Sequence, residues 1–284
     1  MRTMSQPVRI DAHQHFWRLA NSWTNWPTHA EAKIFQDYAP ADLQPILTQY
    51  GIEKTILVQA APSVEETADL LRIASETPFV AGIVGWVDFE HPEIALRDLD
   101  ELSDADLFKG VRPMLQSIEE TEWILAPKFQ PIFEKLEQLG MAFDALIQPR
   151  HLPTLARLAD RHPNLHFIID HCAKPAIEED DLSAWRHHLG QCAQRDNISC
   201  KLSGLVTEAQ TSATLDMIMG VFEHSFNSFG AERLLWGSDW PVVNMAPKHS
   251  YETWRDMTEH MLAKLSPDEQ DNVLGLSAAR IYHI

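Results

Sequence analysis

The sequence predicts a (β/α)8 barrel, in which eight parallel strands close into a cylinder that helices surround. Short apolar, β-branched runs alternate with longer amphipathic runs along the whole chain, a pattern typical of parallel sheets with helical connections. Several of the short runs are apolar on both faces, as strands covered on both sides are. The length of 284 residues is also close to the roughly 250 residues of one such barrel. A doubly wound open sheet is the alternative fold.

The strand-like runs number eight, the count that a closed (β/α)8 barrel requires. Turn or helix signals separate each run from the next. The strands are predicted at Val8–Ala12, Thr55–Gln59, Val80–Val87, Phe108–Met114, Ala142–Gln148, His166–Asp170, Ile198–Leu202 and Leu234–Gly237.

Helix signals fill the segments between the predicted strands. Ser63 and Glu66 have the spacing of a capping box, and Ser266 and Glu269 repeat that spacing near the C-terminus. Gly51 follows the first helix, as glycine commonly does at a helix end. The predicted helices are Leu43–Tyr50, opened by Pro40, one from Ser63 through Ile73, Phe129–Leu139, His151–Arg161, Leu182–Arg195, Ala213–Phe229, Tyr251–Leu265 and a C-terminal helix after Ser266.

One connection is unusually long. It covers Phe16–Pro40, after the first strand, and contains Trp17, Trp23 and Trp26. Strand-end loops of this length are usually functional. The chain shows no internal repeat, low-complexity tract or linker, so we predict one domain over residues 1–284.

The charge balance excludes several classes of protein. Lys and Arg number 23 against 41 Asp and Glu, which gives a formal net charge of −18. Phosphate backbones and anionic membranes repel such a chain, and neither GxGxxG nor GxxxxGK[ST] occurs. Met1–Arg9 is short and polar, without the apolar stretch of a signal peptide. The three cysteines include no CxxC pair, as in reduced proteins. We therefore expect a cytoplasmic protein with neither nucleic-acid nor membrane partners.

Candidate catalytic groups stand at the carboxyl ends of the predicted strands, where barrel enzymes carry their active sites. His13 and His15 end the first strand, two positions apart, so their side chains point to the same side. His171 ends the sixth strand and Asp239 follows the eighth. Three imidazoles and a carboxylate at these positions predict either a divalent-metal site or a metal-free acid–base site.

Arg112, at the end of the fourth predicted strand, is the best candidate for holding substrate oxygens. Its guanidinium group can donate two parallel hydrogen bonds. An ion pair with one of the many carboxylates explains the residue equally well.

Six segments, in order from one end of the chain to the other, carry a family resemblance: Arg9–Trp17, Asp37–Leu43, Val84–Asp88, Asp170–Pro175, Cys200–Glu208 and Trp236–Pro241. With the histidine pair, the strand-six His and the strand-eight Asp, they resemble the amidohydrolase superfamily. More narrowly, the chain is similar to its sugar-lactonase branch, which includes the L-fuconolactonases and L-rhamnonolactonases.

The resemblance implies a hydrolase that opens an aldono-lactone, such as L-fucono- or L-rhamnono-lactone, to the aldonic acid. Asp239 would be the general base for the attacking water, with His171 as a second catalytic group. His13, His15, His171 and Asp239 would ligate one divalent ion, zinc, or the histidines would donate directly to the oxyanion. Lactonases of this branch can work without an added metal.

A hydroxylated substrate gives further residues a function. Trp26 or Trp240 could stack on the apolar face of the sugar, while Gln59 and Arg112 bind its hydroxyl groups. A packed loop aromatic is an equally good interpretation of Trp26.

Two other functions stay open at this point. The first is a metal-dependent decarboxylase of the same superfamily, and the second is a non-catalytic barrel that binds sugar. The oligomeric state is open between monomer and homodimer.

Overall fold

The computed structural model describes residues 7–179, 181–209, 214–246 and 248–284. Eight strands form one sheet in which each strand pairs in parallel with the next along the chain. They are β1 (Ile10–Gln14), β2 (Lys54–Val58), β3 (Val80–Gly85), β4 (Phe108–Val111), β5 (Ala142–Ala145), β6 (Phe167–Ile169), β7 (Ile198–Leu202) and β8 (Leu234–Trp236). The predicted (β/α)8 barrel is thereby confirmed.

The barrel closes through the residues that follow β8. The backbone N–H of Asp239 donates to the carbonyl of His13 at 2.8 Å, and the N–H of His15 donates to the carbonyl of Trp240 at 2.8 Å. The seam between the first and last strands is therefore built from residues that sequence reasoning assigned to the site or its rim.

Helices connect the strands and cover the outside of the sheet. They are α1 (Pro40–Tyr50), α2 (Val64–Glu76), α3 (Pro92–Leu102), α4 (Gln130–Leu139), α5 (Leu152–Arg161), α6 (Ser183–Ala193), α7 (Leu205–Glu208), α8 (Leu215–Phe229), α9 (Tyr251–Leu262), α10 (Pro267–Asp271) and α11 (Ser277–Tyr282). Of these, α3 and α7 were not predicted. The exposed Ile94 interrupts the apolar face of α3, which is buried at Ala95 and Leu99.

The two predicted capping boxes have different outcomes. Ser266 and Glu269 form the reciprocal pair, because the Glu269 carboxylate accepts from the Ser266 N–H at 2.8 Å. Ser63 caps α2 through its hydroxyl, but the Glu66 carboxylate does not return to Ser63. It accepts instead from the N–H groups of Ala60 and Ala61, so the box predicted there is wrong.

The strands are buried on both faces, as predicted. One apolar cluster lies between the sheet and the helices. A second fills the barrel interior with strand residues such as Ile10 and Val84, and α11 adds Ile281 and Tyr282 to it. The C-terminal helix therefore closes one end of the barrel.

The long connection after β1 packs on itself. Trp17 is 4% exposed and pairs by backbone hydrogen bonds with Tyr38. Its ring meets those of Trp26 and Tyr38 edge-on, with centroids 5.5 and 5.3 Å away. The loop is thus anchored, with Trp26 only partly covered.

None of the helices among the described residues is long and apolar enough to cross a membrane. Two sequence predictions fall partly outside the described residues. These are the polar N-terminal stretch, of which residues 1–6 are not described, and the first residue of the helix predicted over Ala213–Phe229.

Candidate active site

Four predicted residues meet at the carboxyl end of the barrel. His13 lies in β1 and His15 follows it, His171 follows β6 and Asp239 follows β8. Each is at most 4% exposed. The parallel strands deliver these side chains to one edge, as their strand-end positions require.

His13, His15 and Asp239 form the most compact group. The two Nε2 atoms are 3.2 Å apart, and Asp239 Oδ1 lies 3.4 Å from His15 Nε2 and 3.8 Å from His13 Nε2. Ligands at about 2.0–2.1 Å from a tetrahedral zinc ion are roughly 3.4 Å from one another. The three atoms therefore have the spacing that one divalent ion needs.

The Nδ1 atoms of His13 and His15 contact groups outside this cluster. His15 Nδ1 donates to the carbonyl oxygen of Val58 at 2.7 Å, which leaves the Nε2 lone pair towards the site. His13 Nδ1 faces Asp170 Oδ1 at 3.4 Å and Lys201 Nζ at 3.1 Å. The Nε2 lone pair of His13 is free for a ligand in the tautomer whose Nδ1 donates to Asp170, whereas a hydrogen bond from Lys201 requires the other tautomer.

His171 lies beside this group, with its ring centroid 4.6 Å from that of His13. Its Nδ1 pairs with Ser203 Oγ at 2.9 Å. Gly204 (φ +67°) provides the room, because a Cβ there would lie 2.6 Å from His171 Nδ1. His13, Asp170 and His171 also form a second cluster with ligand atoms within 4.8 Å of one another.

A left-handed turn places His171. His171, Cys172, Ala173 and Lys174 have φ values of 53°, 51°, 60° and 52°. Each such residue other than glycine costs about 1–2 kcal/mol, and strain of this kind collects at functional sites. Sequence reasoning missed this turn, since none of its residues is a typical turn former.

Buried charges lie under the site, inside the barrel. Lys201 Nζ is 2.5 Å from Asp144 Oδ2 and 3.1 Å from Asp170 Oδ1, and the Tyr282 hydroxyl donates to Asp144 at 2.9 Å. Arg112 Nη1 reaches Asp170 Oδ2 at 3.3 Å. Sequence reasoning did not assign Asp144, Asp170 or Lys201 to the site. A charged residue inside an apolar strand is a signal that could have indicated Asp144 and Lys201.

Electrostatics set the protonation states. Burial alone would raise the pKa of Asp239, but His171, His15 and His13 hold it below its ordinary value. Burial lowers the pKa of His171, and burial with the Lys201 charge lowers the pKa of His13 well below the usual range. At neutral pH the site therefore combines the ionised carboxylate of Asp239 with the neutral imidazoles of His13 and His171, a state that can bind a cation or accept a proton.

A cavity of about 380 Å³ opens over these groups. Its described lining comprises His15, Asn25, Trp26, Ala60, Pro62, Arg112, Met114, Gln116, Ser117, Leu146, His171, Lys174, Asp239 and Val242. Predicted substrate-binding residues Arg112 and Trp26 thus face the cavity.

The other two predicted substrate-binding residues lie in the surrounding wall. Gln59 is fully buried and binds Arg112, donating to its carbonyl at 2.8 Å and accepting from its Nη2 at 3.3 Å. Trp240 is 3% exposed and packs edge-on against Phe16 and Tyr38. Both are placed to support the site from outside the described lining.

One known protein family matches nearly the whole chain. The family model described as amidohydrolase matches residues 10–284. The chain belongs to the amidohydrolase family. The resemblance inferred from the six sequence segments is therefore confirmed, and the match includes every strand of the barrel.

Several amidohydrolase relatives match along nearly their whole length. The chain is 41% identical to an L-fucono-1,5-lactonase of Burkholderia ambifaria, over 97% of this chain and 96% of that protein. An L-fucono-1,5-lactonase of Burkholderia multivorans is 33% identical over 97% and 96%. A crystal structure of an amidohydrolase from Burkholderia multivorans with bound zinc superposes with a TM-score of 0.90 at 32% identity, covering 98% of this chain and 99% of that one.

Proposed function

We propose that the protein is a lactonase that hydrolyses an aldono-lactone of the L-fucono-1,5-lactone type to the aldonic acid. The observation that carries the proposal is the buried group of His13, His15, His171 and Asp239, of which His15, His171 and Asp239 line one cavity. The 41% identity to an L-fucono-1,5-lactonase supports the choice of lactone.

The cavity suits a small hydroxylated ring. Its volume of about 380 Å³ falls in the range of roughly 300–1,000 Å³ that small-molecule sites occupy. Trp26 offers an apolar face for the sugar, and Arg112 and Gln116 offer hydrogen bonds for ring and hydroxyl oxygens. Gln59 would fix the orientation of Arg112, and Trp240 would support the loop that carries Trp26.

One divalent ion fits the donor atoms of this chain. His13, His15 and Asp239 would hold it, with His171 beside them, and zinc suits a set of imidazole nitrogens and a carboxylate oxygen. When bound, such an ion would polarise the lactone carbonyl and lower the pKa of a water.

Asp239 would move the proton in hydrolysis. Its ionised carboxylate accepts a proton from the attacking water as the water oxygen bonds to the lactone carbon. When the ring C–O bond breaks, the same proton passes to the departing ring oxygen. Arg112, which lines the cavity, would donate to the oxygen that carries negative charge between these two steps.

The proposal is tested by acid release from a panel of aldono-lactones, followed with a pH indicator, with and without a chelator. Hydrolysis of L-fucono-1,5-lactone is expected, and acid release from none of the lactones would refute the proposal. Turnover that survives chelation would support the lactonase function and would show that the reaction requires no metal. Chelator-sensitive loss of carbon dioxide from an aromatic acid would favour a decarboxylase, and sugar binding without turnover a non-catalytic barrel.

A further inference from the structure

Lys174 is the more accessible of two permanent cations on the described lining of the cavity. Its side chain is 23% exposed, against 4% for Arg112. Arg112 is tied to Asp170 and Gln59 inside the barrel, whereas Lys174 Nζ pairs with Glu208 Oε1 at 3.0 Å. Both partners of this ion pair reach solvent at the cavity, so the Lys174 ammonium group can exchange one carboxylate for another.

Lys174 is the last residue of the left-handed turn that places His171. The residue has φ +52°, where glycine would be free of strain. A strained residue persists where the surrounding structure imposes the conformation, and such positions collect at ligand sites. The turn therefore fixes where the Lys174 side chain begins, on the described lining of the cavity near His171.

The proposed reaction turns a neutral lactone into a negatively charged product, and the site already contains the negative charge of Asp239. A neutral lactone and water become an aldonic acid, which loses its proton to solvent at neutral pH. The anion then lies beside the Asp239 carboxylate in a chain of net charge −18. A cation that is free to change partners would stabilise it.

We propose that Lys174 binds the carboxylate of the product, and that Glu208 competes with the product for the same ammonium group. This inference rests on the proposed lactonase function. Its position supports it, because Lys174 and Asp239 line both the inner cavity and an adjoining one of about 480 Å³ whose described lining includes Glu208. The product carboxylate would replace Glu208 at Lys174 and then leave as Glu208 returns.

The experiment measures binding of two ligands by calorimetry: L-fuconate, the anion, and L-fucitol, its uncharged counterpart with a hydroxymethyl group in place of the carboxylate. The variants are Lys174→Met, Lys174→Arg and Glu208→Gln. Lys264→Met is the matched control, since Lys264 also pairs with a glutamate but lies 74% exposed in another region. Met at 174 keeps the Cβ and therefore the same backbone strain.

Lys174→Met should weaken L-fuconate binding by about tenfold, a typical value for a lost charge-assisted hydrogen bond, and change L-fucitol binding by less than about twofold. Lys174→Arg should restore most of the affinity. Glu208→Gln should strengthen L-fuconate binding by a few fold, because the competing carboxylate is gone. Lys264→Met should change neither ligand.

Two results would overturn the inference: L-fuconate affinity unchanged in Lys174→Met, or weaker L-fuconate binding in Glu208→Gln, which would make the ion pair a structural support. Equal losses for both ligands in Lys174→Met would count against it as well. These outcomes are distinct from failure of the lactonase proposal, in which the unmodified protein hydrolyses none of the aldono-lactones.

Discussion

Asp239 combines two tasks at the scale of a single residue. Its side chain faces His13 and His15, while its backbone N–H closes the barrel. Its φ of +58° is also left-handed, a conformation that asparagine and aspartate tolerate better than most residues. An Asp239→Asn substitution therefore removes the negative charge with little disturbance of the fold.

For Asp239→Asn we expect kcat for L-fucono-1,5-lactone to fall by about 10²–10⁴-fold, the usual contribution of a general base. L-fucitol should bind with nearly unchanged affinity, because the neutral ligand needs no base. Steady-state kinetics and calorimetry give the two numbers. Asp268→Asn, at an exposed position, is the control and should retain full activity. A fall of less than tenfold in Asp239→Asn would assign the base elsewhere.

The strand-end residues could be predicted because their location follows from the strand pattern alone. His13, His15, His171 and Asp239 each come at the end of an apolar run, and the barrel brings such ends together. Asp144 and Lys201 could not be paired in advance, because 57 positions separate them in the chain. Only the closed barrel places their side chains in one interior.

At the scale of elements, Glu66 joins α2 to the loop after β2. It is 4% exposed and its carboxylate accepts from the N–H groups of Ala60 and Ala61. Burial raises the pKa of Glu66 to about 7 despite these bonds. Because Ala60 lines the cavity, the first turn of α2 helps to shape the site.

The raised pKa of Glu66 predicts a dependence of stability on pH. Between its ordinary value of 4.5 and about 7, the folded state binds more protons at this group than the unfolded state does. Stability supplied by the protonated form is thus fully present below about pH 4.5 and is lost as the pH rises through 7. Compared with Glu66→Gln, the unmodified protein should lose about 1–3 kcal/mol over this interval.

Urea unfolding of both proteins at several pH values between 5 and 8 measures that difference. Glu65→Gln, one position away and more exposed, provides the control and should not reproduce it. A constant difference between the unmodified protein and Glu66→Gln would mean that the carboxyl group is ionised throughout.

The left-handed turn after β6 makes a second prediction at this scale. Lys174→Gly should relieve the strain at φ +52° and raise the free energy of unfolding by about 1 kcal/mol. Lys174→Met keeps the strain and should gain nothing. Chemical denaturation compares the two variants, and equal stabilities would show that the turn carries no strain at this residue.

The boundaries of elements were harder to predict than their existence. β4, β5 and β6 end earlier than predicted, at Val111, Ala145 and Ile169. After β5 the apolar pattern continues through Leu146 and Ile147, so hydrophobicity does not mark the end of pairing there. The predicted capping box at Ser63 was wrong for a related reason, since Glu66 found partners in a loop that packs only in the folded barrel.

At the scale of the whole molecule, the C-terminal helix supports the barrel interior. Tyr282 is 1% exposed and donates to Asp144, which pairs with Lys201 under the site. Tyr282→Phe should lower the free energy of unfolding by about 1–3 kcal/mol, because a buried carboxylate loses a donor. Urea unfolding checks this, and Tyr50→Phe, whose hydroxyl contact is exposed, should change stability by less than about 0.5 kcal/mol.

The fold class was predictable at this scale, whereas the interior charges were not. Eight alternating runs and the chain length indicate a barrel without any knowledge of contacts. The burial of Tyr282 against Asp144 depends on α11 reaching the interior, and Gly275 permits this, because a Cβ there would lie 1.9 Å from the Val8 carbonyl oxygen. A single close approach of this kind leaves no periodic pattern in the sequence.

The seam of the barrel makes closure of the sheet a precondition for assembly of the site. The bonds from Asp239 to His13 and from His15 to Trp240 join residues that lie far apart in the chain. Until the last strand docks against the first, the two histidines have no carboxylate of Asp239 beside them. The proposed activity should consequently appear only when the barrel closes, and a proteolytic cut that frees the last strand should abolish it.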